Sequence, residues 1–370
     1  MTDKPLHAVL SRRDLLKLLA VAGVGATGAY LLYEYEPWQN YNGQALLTRT
    51  PLAKTSLEST RMRELVRYAS LAASGHNTQP WKFRVWGNTL EIHPDYRRRL
   101  PAVDPRDREL WISLGCALEN LLIASRAVGH APEVTYPDKS EFIQIRLTPD
   151  SRQDSPHFRA IPLRQNTRSP YDGKPVGSAA LEQMQALPLE PGVTLHFVLE
   201  AAGLETVLEY VSAGNLVQYA DRAELIHWLR FTRKEALASH DGLYAGASGN
   251  PQVPRWLGQI FVSGTQPQGQ ADADAQKLRS SSGAVVVVST SDDKTAWVRT
   301  GQVYQRLALE LTALGLKSAF LNQPIEVAKV RGQFQSALNL KMGLPQLLVR
   351  YGFADPLPSS LRRPVQDLLI

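Results

Sequence analysis

Residues 74–81 read Ser74-Gly75-His76-Asn77-Thr78-Gln79-Pro80-Trp81, and the chain unfolds outward from them. Upstream, Leu65, Tyr68, Ala69 and Ala72 fall at helical spacing and predict an amphipathic helix over 61–73. Pro80 disfavours the helical conformation at Gln79, so that helix must end first. Downstream, the runs Phe83 to Trp86 and Leu90 to Ile92 alternate around Gly87-Asn88, a hairpin signal. The octapeptide is therefore a turn between helix and strand that gathers hydroxyl, imidazole and amide groups. Such a loop can offer donors and acceptors to a flat heterocycle, with Trp81 packing beneath. It can equally be a capped turn whose polar groups satisfy the backbone. The residue types alone leave both readings open.

Further along, 110–129 reads as a long apolar helix capped at Gly129, and Phe142 to Leu147 alternates again. Ala284-Val285-Val286-Val287-Val288 predicts a strand buried on both faces, followed by a helix over 295–314 that stops at Gly315. Two of these segments match. Trp111, Gly115 and Gly129 correspond to Trp297, Gly301 and Gly315, each pair separated by 186 residues. We read an internally duplicated α+β unit with helices packed on antiparallel or mixed sheets. The first half covers 37–155 and the second 156–370, meeting near the linker-like stretch Asp150 to Pro156.

The 370 residues are 44% hydrophobic and 21% charged, which excludes wholesale disorder, collagen and coiled coil. A net charge of +6 comes from intermixed residues and suits an anionic small ligand as well as a polymer. The single cysteine, Cys116, rules out internal disulfides and reads as a buried core thiol. Eight histidines show no metal-ligand spacing, and no G-x-S-x-G nucleophile elbow occurs, so neither a metal site nor a catalytic residue is assigned. Tyr96-Arg97-Arg98-Arg99 reads as a solvated basic face, with no nucleic-acid motif beside it. Residues 240–280, rich in Gly, Gln and small side chains, read as a flexible lid or a long surface connection.

Residues 1–36 form a separate unit. Gly23 to Gly28 matches G-x-G-x-x-G, but Pro37 arrives nine residues later, too soon for the helix that a dinucleotide fingerprint needs. The preceding Ser11-Arg12-Arg13-Asp14-Leu15-Leu16-Lys17 resembles a twin-arginine export signal. It implies a protein that is periplasmic or held at the outer face of the cytoplasmic membrane, with the apolar run 18–33 as a membrane tether if it is retained.

Ser74 to Trp81 resembles the flavin-facing loop of the FMN-binding nitroreductase-like proteins, and its His-Asn-Thr form is similar to the Acg-type branch. Arg99 to Pro105 leading to Glu109-Leu110, Leu321-Asn322-Gln323-Pro324, Leu344-Pro345-Gln346 and the stretch from Arg350 to Arg363 agree with that branch. Arg164-Gln165-Asn166-Thr167-Arg168 resembles the R-x-S/T-x-R segment that opens ordinary nitroreductases. The resemblance runs from about residue 60 to the end, specific in the loop and weak between 177 and 280.

It implies a nitroreductase-like fold and FMN. Those enzymes are homodimers with flavin at the subunit interface. Here the first half has the loop but no arginine segment, and the second has Arg164 to Arg168 with only Ser263 to Pro267 as an echo of the loop. The expectation is a monomeric pseudo-dimer with one FMN. Arg164 and Arg168 would meet its phosphate, helped by Arg362 or Arg363, since guanidinium forks suit phosphate. Gln165 and Asn166 would contact the ribityl chain or ring edge. Ser74, Gly75, His76, Asn77 and Gln79 would face the flavin from the other half, and Leu321 and Asn322 would supply backbone donors near the ring. The implied activity is reduction of a small flat electron acceptor, with NAD(P)H or, outside the cytoplasm, another donor. The alternative is a protein that holds flavin under a lid without turnover.

Overall fold

The computed structural model describes Leu32 and residues 40–53, 57–137, 140–218, 223–341 and 343–370. The twin-arginine motif, and all but Leu32 of the apolar run after it, lie outside the described residues. Among the described residues no helix is long and apolar enough to cross a membrane.

The chain begins with α1 (Tyr41–Leu47), α2 (Glu58–Ser70), β1 (Trp81–Trp86), β2 (Thr89–Pro94), α3 (Arg108–Ala127), β3 (His130–Thr135) and β4 (Ile143–Pro149). It continues through α4 (Pro156–Ala160), α5 (Ser178–Gln185) and β5 (Val193–Val198). An excursion follows: α6 (Ala201–Gln218), α7 (Ala223–Trp228), β6 (Leu229–Arg230), α8 (Arg233–Ser239), β7 (Leu243–Tyr244), α9 (Arg255–Gly264) and α10 (Pro267–Arg279). The chain then returns as β8 (Gly283–Ser289), α11 (Lys294–Ala313), β9 (Lys317–Phe320), α12 (Gln323–Glu326), α13 (Ala328–Ala337), β10 (Leu344–Gly352) and α14 (Val365–Leu368).

The fold is α+β, with two four-stranded sheets ordered β1-β2-β4-β3 and β5-β8-β10-β9. Every pairing within both sheets is antiparallel, and the two orders superpose strand for strand. The wholly buried Val285, Val286 and Val287 of β8 explain its unbroken β-branched run: α11 and α5 cover one face, and α6 and α13 the other.

The matched glycines have one purpose. α3 and α11 cross where Gly115 meets Gly301, and a Cβ on Gly115 would stand 2.0 Å from the Val298 carbonyl oxygen. A Cβ on Gly301 would stand 2.0 Å from the carbonyl oxygen of Ile112. The capping glycines match too, both left-handed, with φ of 87° at Gly129 and 76° at Gly315. The matched tryptophans exchange partners: Lys294 sits over the Trp111 ring at 5.2 Å, and Arg106 over Trp297 at 5.6 Å. Gln305 Nε2 donates to Asn120 Oδ1 at 2.8 Å, and Arg306 Nε to Glu119 Oε1 at 2.9 Å, tying the same two helices.

Two expectations change. Ser263 to Pro267 is no counterpart of the 74–81 loop, because it joins α9 to α10 inside the excursion between β5 and β8. That position matches the Gly87-Asn88 turn of the first half. The true counterpart precedes β5, where the sequence Ala186-Leu187-Pro188-Leu189-Glu190-Pro191-Gly192 holds no such polar cluster. Residues 240–280 are largely helical. Their small residues are needed at contacts such as Gly258, whose Cβ would fall 2.1 Å from the Phe231 ring.

Gly115→Ala should lower stability by about 1–3 kcal/mol through overpacking at the crossing. Gly332→Ala, on a helix where a Cβ meets nothing, should raise it slightly through helix propensity. Denaturant midpoints of the two variants check the contrast.

Candidate functional site

A cavity of about 330 Å³ lies between the halves. The first half lines it with Ser74, Gly75 and His76 of the loop and Glu109, Ile112, Ser113 and Cys116 of α3. The second supplies Asn166, Arg168, Tyr304, Leu321 and Asn322, and the excursion adds Gln218, Leu225, Val262 and Asp274. A smaller recess of about 50 Å³ adjoins it, sharing Ala73, Ser74, Asn166 and Arg168 and adding Arg49, Arg164 and Arg362.

The loop is held in strained backbone. His76, Asn77 and Gln79 have φ of 47°, 54° and 51°, although none is glycine. Each such residue costs about 1–3 kcal/mol unless its surroundings dictate it. Here they do: Gln79 N donates to Ser74 Oγ at 3.1 Å and Gly75 N to Ser113 Oγ at 3.3 Å. Asn77 Nδ2 reaches the Gly242 carbonyl at 3.1 Å, and Gln79 Nε2 that of His240 at 2.8 Å. Burial and the nearby Arg168 push His76 down to about 4. At neutral pH its ring is therefore an uncharged hydrogen-bonding group beside the cavity.

The recess collects guanidinium groups without carboxylates. Arg49 donates to the carbonyls of Ala45 and Ser360, both at 2.9 Å. Arg164 Nη2 donates to Leu71 O at 3.1 Å, while its buried Nε has no partner. Among the described residues Arg168 reaches only the Ser248 hydroxyl, at 3.5 Å. Among the described residues, none of these arginines, nor Arg362, makes a salt bridge with a carboxylate. Burial and then Arg164 push Arg49 down to about 10, and burial followed by Arg49 and Arg164 lowers Arg362. Buried cations that repel one another are costly unless an anion joins them. The adjacent Gln165 Oε1, Asn166 Oδ1 and Thr167 Oγ1 are likewise buried without partners. A phosphate monoester bearing a polyhydroxy chain fits this set, the guanidinium groups taking the phosphate and the free amide oxygens the hydroxyls.

Of the residues singled out in the sequence, Ser74, Gly75, His76, Asn166, Arg168, Leu321 and Asn322 line the large cavity, but the Leu321 N–H expected as a donor to the ring is instead taken by the Leu348 carbonyl at 3.0 Å. Asn77, Arg164, Gln165 and Arg362 line the recess. Gln79 and Arg363 line neither. Wholly buried Gln79 accepts from Arg363 N at 2.9 Å, and Arg363 Nη1 donates to Gln79 O at 3.3 Å, so this pair ties the loop to the C-terminal tail. Arg362 is already committed: it donates to the carbonyls of Ser70, Leu71 and Ala72 at 2.8, 3.3 and 3.1 Å, capping α2. It also holds Asn77 Oδ1 at 3.0 Å. Arg49, Tyr304, Glu109 and Glu326 also line these spaces, and no motif in the sequence marks them as site residues. Arg49 lies ahead of the first predicted helix and outside every motif, and an acidic residue such as Glu109 at a helix start reads as ordinary charge complementation.

No family model matches the chain. It is 28% identical over 353 residues to a Mycobacterium tuberculosis protein provisionally named an NAD(P)H nitroreductase, covering 88% of this chain and 94% of that one. A second M. tuberculosis protein with the same provisional naming, acg, is 25% identical over 330 residues, covering 85% and 96%. Among solved structures, a protein of Anabaena variabilis provisionally named a nitroreductase aligns over 84% of this chain and 91% of its own, with a TM-score of 0.42 and 9% identity. A nitroreductase-like family protein of Bacillus cereus aligns over 58% and 95%, with a TM-score of 0.35 and 14% identity. These structural likenesses are too loose to carry residue roles across.

Inorganic phosphate should raise the thermal midpoint of the cofactor-free protein. Arg164→Ala should remove much of that rise, each lost charge-assisted bond being worth about 1.5–3 kcal/mol. A wild-type midpoint indifferent to phosphate would count against an anion site.

Proposed function

We propose that the chain is an FMN-dependent oxidoreductase holding one flavin between its duplicated halves and reducing a small flat acceptor. The observation that carries this reading is the carboxylate-free cluster of Arg49, Arg164 and Arg168 opening into a larger interfacial cavity. A phosphate at one end and a flat ring at the other match that pairing of spaces. The names of the mycobacterial relatives support reductase activity with a nicotinamide donor.

Bound FMN would supply the two-electron hydride chemistry between donor and acceptor. The chain supplies position and environment. Arg164, Arg168 and Arg49 neutralise the phosphate, while Arg362 fixes the end of α2 and Asn77 behind them. Gln165 and Asn166 offer their unpartnered oxygens to the ribityl hydroxyls. Ser74, Gly75 and neutral His76 form one wall for the ring, with Leu321 and Asn322 on the other half. The 74–81 loop has no equivalent before β5, which supports one flavin per chain.

A second reading rests on the excursion. Gln218, Leu225 and Val262 roof the cavity, an arrangement suited to retaining flavin while restricting substrate. The twin-arginine motif adds the proposal that the protein works outside the cytoplasm, where a donor other than NAD(P)H would be required.

An anaerobic absorbance titration tests these points. One equivalent of flavin per chain is expected, and two would sink the single-site reading. Bleaching by NADPH supports the reductase; bleaching by dithionite alone favours another donor or a flavin-holding role. A colourless protein that FMN cannot reconstitute overturns the proposal.

A further inference from the structure

The cavity wall away from the arginines carries two carboxyl groups, one from each half. Glu109 stands in the first turn of α3 and Glu326 ends α12, and Asn322 links them, its Nδ2 donating to Glu109 Oε1 at 3.3 Å and its carbonyl accepting from Glu326 N at 3.0 Å. Both line the large cavity. Glu109 Oε1 accepts from Arg108 Nη2 at 2.8 Å and Asn322 Nδ2 at 3.3 Å, and Glu326 Oε2 accepts from Gln218. A Cβ on Gly75 would lie 3.7 Å from Glu109 Oε2, so the pair abuts the strained loop.

The surrounding charges do not neutralise them. Asp104 is buried nearby, one oxygen accepting from Leu110 N at 3.0 Å. Arg108 is the one cation hydrogen-bonded to the pair among the described residues. Arg331 is engaged by Asp292 at 3.3 Å, and Lys277 by Asp274 at 3.3 Å. Two buried carboxyls and a half-buried third, gathered about one guanidinium, disfavour full ionisation. Burial and then Glu326 push Glu109 up to about 8; burial and then Glu109 push Asp104 up to about 7; burial also raises Glu326. The wholly buried Tyr304 hydroxyl, lining the same cavity without a hydrogen-bond partner, leaves a polar group available to a ligand there.

We propose that the Glu109–Glu326 pair holds one shared proton and delivers it to the acceptor bound in the cavity. This rests on the flavin reading. Reduction of a quinone-type acceptor takes a hydride, two electrons and one proton, which bound FMN would supply, and a second proton, which the carboxylic acid gives up. The acid O–H bond breaks, an O–H bond forms on the acceptor, and hydroquinone leaves. The nicotinamide or other two-electron donor is oxidised, and the pair regains its proton from water.

Two measurements on the full chain test this. The first is thermal unfolding of the cofactor-free protein against pH. These carboxyls hold protons in the folded state that the unfolded chain has lost, so stability should fall as pH rises from about 5 to about 8. Glu109→Gln and Glu326→Gln should each flatten that fall; slopes unchanged in both variants overturn the shared proton. The second is acceptor reduction by flavin-loaded protein pre-reduced with dithionite. The wild-type rate should decline above about pH 8, and Glu109→Gln should slow it about 100-fold and abolish that decline. Glu109→Asp should restore part of the rate. A Glu109→Gln protein with full rate and an intact alkaline decline overturns proton delivery. Flavin that fails to bind while the stability slope persists sinks the flavin reading, and the delivery step with it, leaving the shared proton standing.

Discussion

The cavity depends on how closely two helices approach at Gly115 and Gly301. Each glycine faces a carbonyl of the other helix, so any side chain at either position would wedge them apart. The contact brings Asn120 within reach of Gln305 and Glu119 of Arg306. Those bonds fix the rotation of one half against the other. It also sets the gap between the 74–76 loop and Tyr304, hence the width of a cavity that a flat ligand could fill. Close packing transmits such a constraint because interiors have little room to yield.

Charge decides what the seam can hold. Arg362 and Arg164 meet carbonyl oxygens at the end of α2, where the helix dipole offers partial negative charge. That explains part of their burial but not the whole cluster. Arg168 has one weak hydroxyl contact, and Arg49 has carbonyls alone at hydrogen-bond distances under 3 Å. Among the described residues the recess leaves its guanidinium charge without a carboxylate counter-ion. The opposite wall carries carboxyls disposed to keep a proton, so one continuous space has a basic end and a protonated acid end. A ligand with a dianion at one end and proton-coupled chemistry at the other would use both.

Much of this was legible before any coordinates. Helix periodicity located α2, α3 and α11, and the repeated Trp–Gly–Gly spacing located their duplication, because a close helix crossing and a helix end each restrict the residue to glycine. The loop was legible from its cluster of polar side chains ahead of Pro80. Pointing directions were not. Gln79 belongs to the same octapeptide as His76, yet its left-handed backbone turns it toward the tail and excursion. Arg362 and Arg363 are adjacent in sequence, yet one caps α2 beside the recess and the other clasps Gln79 outside it. Arg49 and Glu326 carry no periodic or motif signal. Their importance comes from what lies opposite them.

Duplication made the asymmetry affordable. Two copies of one sheet topology supply two potential loops and two potential arginine segments at one seam. Where the first half turns tightly at Gly87-Asn88, the second leaves its sheet at Val198 and returns at Gly283. That interval holds the helices that roof the cavity and the carbonyls of His240 and Gly242 that secure the loop. The excursion therefore braces the polar loop of the other half, while its own half lacks such a loop before β5. One well-supported loop, one arginine segment and one carboxyl from each side line the same cavity. A symmetric dimer would have to build every one of these features from the same sequence in both copies. Within one chain each half can specialise, and the glycine crossing keeps the specialised parts in register.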